Sequence, residues 1–328
     1  MGICCYTYNK ELNKFENNFK KNVITFNYLS VIESGKYATV NKGYINVSGD
    51  NEKLIVAQKV PNANNSNVKS IINSFNNEIE IFKLIREKLI KYNIQSHPGI
   101  CKYYSHVMNS NQSEIIIECF DKDLFEYLLD FGNTLMTINE VTSIIIQLLL
   151  SLKFLHDNNP VIIHRDIKLE NILINNRRVV ISDFGLSGID TGNNTGRAGT
   201  YEYIAPEVMF RKGYTHKSDY YSLGVVLFSL LTGKSLRNNK KTIREDDFIK
   251  IKYSNSMLLQ RKFGKINNEI VPRFLIVLLD NLLEYDKNTR WNWKKALKYL
   301  SSYIDIQVFL KNIYREHEID ILIDDEIL

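Results

Sequence analysis

The sequence predicts an α+β protein with two lobes, because strand-like and helical patterns are distributed unevenly along its 328 residues. In the first third, short β-rich runs such as "NVITFNYLSVIESG" and "KLIVAQKV" alternate with turn residues, and one long helical pattern interrupts them. After Asp121, long apolar patterns with helical spacing dominate. We therefore expect a small β-rich lobe with one main helix over residues 23–120 and a larger helical lobe over 121–302.

The elements of the first lobe follow a regular order. Three strand-like runs lie between Val23 and Val60, and Gly49, Asp50 and Asn51 suit a hairpin turn before the third. The loop "PNANNSN" leads into a helix whose apolar residues recur at helical spacing. Two further strand-like runs follow, the second of them "EIIIECF".

The second lobe is predicted to be mostly helical. Helical patterns cover residues 124–131, 141–157, 218–232, 271–284 and 292–312, and the short β-rich patch "NILINNRRVVISDFG" lies among them. The most apolar run, "VTSIIIQLLLSLKFLH", is interrupted by Gln147, Ser151 and Lys153. It is too short and too polar to span a bilayer comfortably, so we expect a buried helix of the core.

Two end segments lie outside the lobes. Residues 1–22 are polar and rich in Asn and Lys, with no clear period. Residues 303–328 end in the acidic stretch "REHEIDILIDDEIL", which fits either a helix that docks on the body or a solvated tail.

Composition excludes several classes of protein. With 44% hydrophobic residues, the chain can bury a core and is not intrinsically disordered. The net charge of 42 − 37 = +5 is small, so we do not expect nucleic acid as a partner. The four cysteines form no C-x-x-C pair and no signal peptide is visible, which argues against a disulfide framework or a zinc site and favours a cytoplasmic protein.

Five short segments carry the recognisable chemistry. They are "VAQK" (56–59), "HRDIKLEN" (164–171), "DFG" (183–185), "APE" (205–207) and "SDYYSLGVVLF" (218–228). Each alone is weak, but in this order and spacing they make the chain resemble a eukaryotic protein kinase over about residues 23–302. The resemblance implies a two-lobed kinase fold, ATP and Mg²⁺ as cofactors and proteins as substrates.

The resemblance assigns Lys59 to the α- and β-phosphates of ATP. Such a lysine needs a carboxylate to hold it, and Glu78 on the first helix stands where the family places this partner. Glu80 is the alternative partner for Lys59, but it lies two residues after Glu78 and therefore on a different face of the helix.

The same resemblance assigns the catalytic loop. Asp166 would accept the proton of the attacking hydroxyl group, and Lys168 would neutralise charge on the transferred phosphoryl group. Asn171 and Asp183 would bind the metal ion. Lys168 and Thr200 resemble those of serine/threonine kinases, and "GTYEYIAPEV" leans towards the calmodulin-dependent and AMP-activated branch.

The adenosine site is also assigned by resemblance. The resemblance places Ile32, Val40, Ala57 and Leu173 around the nucleotide and Ile117 at the rear of the pocket. It assigns the backbone of Glu118 and Phe120 to the adenine and Asp123 to the ribose. Asp123 could instead bind a basic residue of the substrate. Glu170 is also acidic and would favour basic substrate residues in the same way.

Three structural roles complete the resemblance. Phe82, Tyr103, His164 and Phe184 occupy positions of the family's hydrophobic spine, which Asp219 anchors. Glu207 and Arg290 match a buried ion pair of the helical lobe.

Regulation by phosphorylation is a further expectation. Arg165, next to Asp166, marks kinases that an activation-loop phosphate can switch. Thr191 and Thr195 are the candidate acceptors, and an upstream kinase is the implied partner. The alternative is a loop that is ordered without modification.

The phosphate-binding loop "IESGKYATV" departs from the pattern G-x-G-x-x-G-x-V. Only its middle glycine, Gly35, is present, while Glu33 and Ala38 replace the others. A carboxylate near a triphosphate is repulsive, although Lys36 offsets part of that repulsion and solvent screens it. We therefore expect weakened ATP affinity with catalysis retained. The alternative is an ATP-binding pseudokinase or scaffold, although Lys59, Asp166 and Asp183 all remain.

The N-terminus "MGICCYTYNK" resembles an N-myristoylation site at Gly2, although Tyr6 stands where the pattern requires Ser or Thr. Cys4 and Cys5 are candidate palmitoylation sites, and stable anchoring needs a second acyl chain. The sequence thus suggests association with a membrane surface, with an exposed, frayed tail as the alternative.

Overall fold

The computed structural model describes residues 25–35, 37–46, 53–62, 68–108, 113–132, 135–157, 159–237, 248 and 271–323. The chain divides into two compact units, the first of residues 1–79 and 102–120 and the second of residues 80–101 and 121–328. Sequence patterns placed 80–101 in the first lobe. The segment instead belongs to the second unit, because Phe82 packs on Phe184 there and Lys88 donates hydrogen bonds to the carbonyls of Leu155 and Asp157.

The first unit is built on an antiparallel sheet of five strands. They are β1 (Phe26–Ser34), β2 (Ala38–Asn46), β3 (Lys53–Pro61), β4 (Tyr103–Met108) and β5 (Ser113–Glu118), in the order β1-β2-β3-β5-β4. The helix α1 (Val68–Lys91) begins in this unit and continues into the chain of the second. The core of the sheet contains Ile45, Val56 and Ile116. Gly43 lets β1 approach closely, because a Cβ there would lie 2.3 Å from the Phe26 ring.

The second unit is largely helical. Its helices are α2 (Leu124–Leu129), α3 (Ile138–His156), α4 (Pro206–Met209), α5 (Lys217–Thr232), α6 (Arg273–Leu282), α7 (Trp293–Ser301), α8 (Ile306–Lys311) and α9 (Glu316–Leu322). Its short strands are β6 (Lys122–Asp123), β7 (Ile162–Ile163), β8 (Ile172–Asn175), β9 (Arg178–Ile181) and β10 (Gly188–Ile189). One sheet has the order β6-β8-β9, and β10 pairs with β7.

Helix α3 is the central helix of the second unit. A capping box of Thr137 and Glu140 fixes its first turn. Although it is long and apolar enough to cross a bilayer, 83% of its apolar window is buried inside the protein. The interrupting polar groups have partners, since Ser151 donates to the Gln147 carbonyl and the Gln147 amide donates to the Arg177 carbonyl. The prediction of a buried core helix is therefore confirmed.

The predicted helix over 292–312 is wrong in one respect, because the segment forms two helices, α7 and α8. Helix α7 ends at Ser301, and α8 begins anew after Asp305, whose carboxylate caps it by accepting a hydrogen bond from the Val308 amide. The apolar residues before and after this break both recur at helical spacing, so the sequence predicted a single helix.

The C-terminal segment docks on the body as far as it is described. The Tyr314 hydroxyl donates a 2.6 Å hydrogen bond to Gln147 of α3, and Ile319 and Leu322 of α9 are buried. Of the two alternatives for the acidic end, the docked helix is observed up to residue 323. Residues 324–328, the expected turn at 49–51 and Lys36 lie outside the described residues.

Candidate active site

The first unit contains a buried ion pair between a strand and a helix. Lys59 on β3 and Glu78 on α1 approach to 2.7 Å, and the Glu78 side chain is only 2% exposed. The Phe75 ring lies 5.5 Å from the Lys59 ammonium group. Glu80 instead forms an exposed pair with Lys83. Because burial raises the cost of an unpaired charge, the pair fixes the Lys59 ammonium group in one position.

The loop between β1 and β2 forms a tight turn around Gly35. The Gly35 amide donates to the Ala38 carbonyl at 2.9 Å. A Cβ on Gly35 would meet only ordinary contacts, 3.6 Å from the Ala38 carbonyl oxygen and 3.7 Å from the Glu33 carboxylate, and φ of Gly35 is not left-handed. The protein itself therefore does not require glycine here, whereas a ligand that approaches the backbone closely would.

The remaining nucleotide candidates of the first unit lie on its strands. Ile32 is exposed at the end of β1, Val40 is partly buried on β2 and Ala57 is buried on β3. Ile117 is buried on β5.

Two backbone groups were assigned to adenine at the end of β5. The Glu118 amide donates to the Lys102 carbonyl at 2.8 Å, so a ligand would meet the Glu118 carbonyl rather than its amide. Phe120 is buried just beyond the strand.

In the second unit, the Asp166 carboxylate has both oxygens held by neighbours. The Asn171 amide donates to Asp166 Oδ2 at 2.9 Å, and the Thr200 amide and hydroxyl both donate to Oδ1 at 2.8 Å. The Lys168 ammonium group lies 3.3 Å from Oδ2 and 3.3 Å from the Thr200 hydroxyl. Asp166 is 8% exposed.

This cluster is suited to proton abstraction and to charge neutralisation. A carboxylate can accept about four hydrogen bonds, and the three from Asn171 and Thr200 leave one acceptor position, at Oδ2, which the Lys168 ammonium group faces at 3.3 Å and a substrate hydroxyl group could share. Lys168 places a positive charge beside the same carboxylate. A general base and a cation side by side are what transfer of an anionic group to a hydroxyl requires.

Asp183 and Asn171 provide oxygen ligands near this cluster. Asp183 adopts a left-handed backbone conformation, with φ of 59°, which is strained for a non-glycine residue and is characteristic of functional sites. The Gly185 amide donates to its Oδ1 at 3.4 Å. Within the described part of the chain, no group of three His, Cys, Asp or Glu side chains could hold a metal by itself. The set of one carboxylate and one amide fits Mg²⁺, which takes few protein ligands and completes its shell with phosphates and water.

Asp123 and Leu173 are the remaining nucleotide candidates in the second unit, and they pair across β6 and β8. The Asp123 carboxylate caps α2 by accepting a 2.7 Å hydrogen bond from the Glu126 amide. Burial raises the pKa of Asp123 to about 6, and the neighbouring charges of Glu126 and Glu170 add to this rise.

A buried polar network supports the catalytic loop. Asp219 at the start of α5 accepts hydrogen bonds from the His164 and Arg165 amides at 2.8 and 2.9 Å. His156 of α3, which sequence reasoning missed, also donates to Asp219 at 2.9 Å. Burial would raise the pKa of Asp219, but the hydrogen bonds from His156 and His164 hold it below its usual value.

The expected spine is partly visible within the second unit. The Phe184 ring lies 5.3 Å from Phe82 and 5.1 Å from His164, both in edge-on geometry. Tyr103 belongs to β4 of the first unit.

Two arginines hold the segment that precedes and includes α4. Arg290 makes a bidentate pair with Glu207, with distances of 2.6 and 2.9 Å, and is fully buried. Arg237, which the sequence did not single out, donates to the carbonyls of Tyr201 and Ile204.

The regulatory candidates differ in environment. Arg165 has a backbone φ of 69°, and its buried Nε has no hydrogen-bond partner among the described residues. Its guanidinium group lies 5.4 Å from the Tyr214 ring. Thr191 and Thr195 are exposed, and the Thr191 hydroxyl donates to Asn194 at 3.2 Å. The lipidation candidates Gly2, Cys4 and Cys5 lie outside the described residues.

Comparison with known proteins adds independent evidence. A family model described as "Protein kinase domain" matches residues 26–300. The chain is 33% identical over 238 residues to the meiosis-specific serine/threonine-protein kinase MEK1 of Saccharomyces cerevisiae, covering 62% of this chain and 45% of that protein. It is 30% identical over 214 residues to the dual specificity protein kinase shkC of Dictyostelium discoideum, covering 63% and 39%. It is 27% identical over 279 residues to the serine/threonine-protein kinase STY46 of Arabidopsis thaliana, covering 82% and 42%. The chain thus spans less than half the length of these relatives.

Proposed function

Because the chain belongs to the protein kinase family, we propose that it transfers the γ-phosphate of ATP to serine or threonine hydroxyl groups of other proteins. The observation that carries this proposal is the arrangement around Asp166. Its carboxylate is held by Asn171 and Thr200, and the Lys168 ammonium group lies beside it. The contact between these four side chains supports an active kinase over a pseudokinase.

Each residue of the cluster has a role in the proposed reaction. Asp166 accepts the proton of the substrate hydroxyl and orients its oxygen for in-line attack. Lys168 offsets the negative charge of the transferred group, and Thr200 holds both side chains in place. In the first unit, Lys59 is the cation for the nucleotide phosphates, and Glu78 keeps it in position.

The cofactors are ATP and a divalent cation, which we propose is Mg²⁺. When bound, Mg-ATP supplies the phosphoryl group with part of its charge neutralised. Asn171 and Asp183 would hold the cation through oxygen atoms, as Mg²⁺ prefers. Ile32, Val40, Ala57, Ile117 and Leu173 would contact the nucleoside, along with the backbone of Glu118 and Phe120. We expect weak ATP affinity because of Glu33, so a KM for ATP in the low micromolar range would contradict this expectation.

The proposed substrates are proteins with hydroxyl acceptors. The Lys168–Thr200 contact favours serine and threonine. One relative is named a dual specificity kinase, so tyrosine belongs in the assay as well. Glu170 lies close enough to Asp123 to add to the rise in the Asp123 pKa, and the two acidic side chains together favour basic residues near the acceptor.

Control of the activity is proposed at two places. A phosphate on the exposed Thr191 or Thr195, added by an upstream kinase, would bring an anion to Arg165, whose Nε is buried without a partner in the described chain. Acylation of Gly2 with Cys4 or Cys5 would add a membrane-bound pool to a cytoplasmic protein. Equal distribution of wild type and Gly2→Ala between membrane and cytosol would exclude anchoring.

The decisive experiment measures transfer of labelled γ-phosphate from Mg-ATP by the purified full chain. Acceptors are the chain itself, a basic protein, and matched peptides with Ser, Thr or Tyr as the only hydroxyl residue. Asp183→Asn and Asp166→Asn serve as inactive controls. We expect transfer by wild type alone, to Ser and Thr peptides more than to the Tyr peptide.

Two other results would change the conclusion. ATP binding without transfer, even after treatment with an activating kinase, would leave a pseudokinase or scaffold. Transfer that persists in Asp183→Asn would mean that a contaminating kinase causes the signal.

A further inference from the structure

The turn at Gly35 is held by a residue outside the glycine-rich pattern. Asn62 follows β3 directly, and its side-chain amide donates to the Gly35 carbonyl. Its backbone amide donates to the Tyr37 carbonyl at 3.0 Å. One asparagine thus binds two carbonyls of the turn, those of Gly35 and Tyr37.

These bonds determine how the turn presents its amide groups. The Gly35 amide donates to the Ala38 carbonyl, but the reverse bond from the Ala38 amide to the Gly35 carbonyl is not formed, and that carbonyl accepts from the Asn62 side chain instead. A trans peptide group is planar with its N–H opposite its C=O. Since the Tyr37 carbonyl faces Asn62, the Ala38 N–H points away from Asn62.

A short chain of hydroxyl groups fixes the orientation of the Asn62 amide. The Thr39 hydroxyl donates to Asn62 Oδ1 at 2.7 Å, which leaves the Asn62 NH₂ group facing Gly35. Ser34 lies opposite Thr39 in the β1–β2 ladder, and the two hydroxyl oxygens are 3.1 Å apart. The side chains of Ser34, Thr39 and Asn62 thus connect three adjacent strands at the base of the turn.

We propose that Asn62 is a positioning residue for the nucleotide phosphates. By binding the Gly35 and Tyr37 carbonyls, it keeps these two backbone oxygens away from the phosphates and leaves the Ala38 N–H to face them. It compensates for two glycines that the loop lacks, because side-chain bonds to the backbone hold a conformation that glycines would otherwise make accessible. The inference rests on the proposed function, since it concerns the same ATP site.

The first test compares Asn62→Ala with wild type in phosphate transfer. We expect the KM for ATP to rise about fivefold, the effect of losing one net hydrogen bond, with kcat nearly unchanged. The KM for the peptide should also stay constant. A general weakening of the fold would lower the active fraction, and so kcat, without this selective effect on ATP.

Asn27→Ala is the matched control. Asn27, like Asn62, donates its side-chain amide to backbone carbonyls, those of Thr25 and Tyr44, but it lies at the opposite end of the β1–β2 pair. We expect its KM for ATP to match wild type. An equal rise in both variants would assign the effect to the sheet as a whole and overturn the inference.

Two further variants separate the bonds of Asn62. Thr39→Val removes the hydroxyl that orients the amide, and we expect a smaller rise in KM of about twofold. Asn62→Gln keeps the amide on a longer side chain, and it should recover part of the affinity lost in Asn62→Ala. A Gln variant as weak as Ala, together with no effect of Thr39→Val, would contradict the role of the amide.

Direct titration with Mg-ATP, by displacement of a fluorescent ATP analogue, separates this inference from the proposed function. Binding by wild type without any transfer, even after treatment with an activating kinase, would refute the kinase activity, and the fivefold loss in Asn62→Ala would then still be judged on Kd. Transfer by wild type with identical Kd and KM in Asn62→Ala would refute the role of Asn62 alone. If wild type binds no ATP, both proposals fail.

Discussion

At Asp166 a single carboxylate is held by three parts of the second unit. Asn171 follows it in the catalytic loop, Lys168 lies between them in sequence, and Thr200 comes from the segment before α4. Local spacing predicts the first two contacts. The third joins residues 34 positions apart, so only the folded chain establishes it. At this scale, the sequence proposes the reactive groups and the structure supplies the neighbours that orient their side chains.

The residue scale provides a test of why the loop keeps one glycine. Gly35→Ala should leave the melting temperature within about 2 °C of wild type, because its Cβ would make only ordinary contacts in the protein. The KM for ATP should rise about tenfold or more, since the methyl group would occupy the space of the phosphates. Thermal unfolding without nucleotide and steady-state kinetics measure the two effects. A clear loss of stability with unchanged KM would mean that the protein, and not a ligand, requires this glycine.

Asp123 provides a second test at this scale, through pH. Its pKa of about 6, raised by burial, means that its charge is lost as the pH falls from about 7.5 to 5.5. The preference for a basic over a neutral peptide, measured as a ratio of kcat/KM, should fall over this range. Any effect of pH on the transfer step itself acts on both peptides alike and cancels in the ratio.

Asp123→Asn serves as the control for that titration. It should show a preference weaker than wild type by up to about fivefold at pH 7.5, as for one partly exposed ion pair, and no change with pH near 6. A wild-type ratio that does not depend on pH would exclude Asp123 from substrate recognition.

At the scale of elements, ion pairs between distant segments fix α4 and α1. The pair of Glu207 and Arg290 joins α4 to the loop before α7, and that of Lys59 and Glu78 joins β3 to α1. Both pairs are ones that the family resemblance had already assigned. The contacts of Arg237 with Tyr201 and Ile204 had no such signal, because an isolated arginine after a helix resembles any surface residue.

Arg290→Met tests the first of these pairs. It leaves the Glu207 carboxylate buried without its partner, so we expect the free energy of unfolding to fall by about 3–5 kcal/mol. Denaturant unfolding measures this loss. In the double variant Glu207→Leu with Arg290→Met, most of it should be recovered.

Lys83→Met is the comparison, because Lys83 and Glu80 form an ion pair that is more than half exposed on both sides. It should cost less than about 1 kcal/mol. Equal losses in Lys83→Met and Arg290→Met would show that burial does not set the strength of the Glu207 pair.

At the scale of the whole molecule, stability depends on histidines that are buried in neutral form. Burial lowers the pKa of His97 to about 3, with nearby Lys153, Arg178 and Lys88 adding to the effect. Burial also lowers the pKa of His156, against the opposing hydrogen bond to Asp219. Both histidines take up a proton on unfolding once the pH is below about 6.5. Stability present above that pH is therefore lost as the pH falls.

We expect the free energy of unfolding to decrease between about pH 7 and 5. Each histidine contributes at most about 1.4 kcal/mol per pH unit, and Asp123, which holds its proton more tightly when folded, opposes them below about pH 6. Urea unfolding at several pH values measures the slope. His97→Asn should make the slope shallower, while a wild-type slope of zero would show that these histidines are not neutral in the folded protein.

The sequence by itself determined the fold class and the family and proposed the site residues, because all of these depend on local periodicity and on short motifs in a fixed order. The tertiary structure alone decided which groups meet. Asn62 lies 27 positions from Gly35, His156 lies 63 from Asp219, and Tyr314 lies 167 from Gln147. Hydrogen bonds over such separations arise only when packing brings distant segments together, and no local pattern records them. For the same reason, the break at Asp305 and the docking of α9 became visible only in the folded chain.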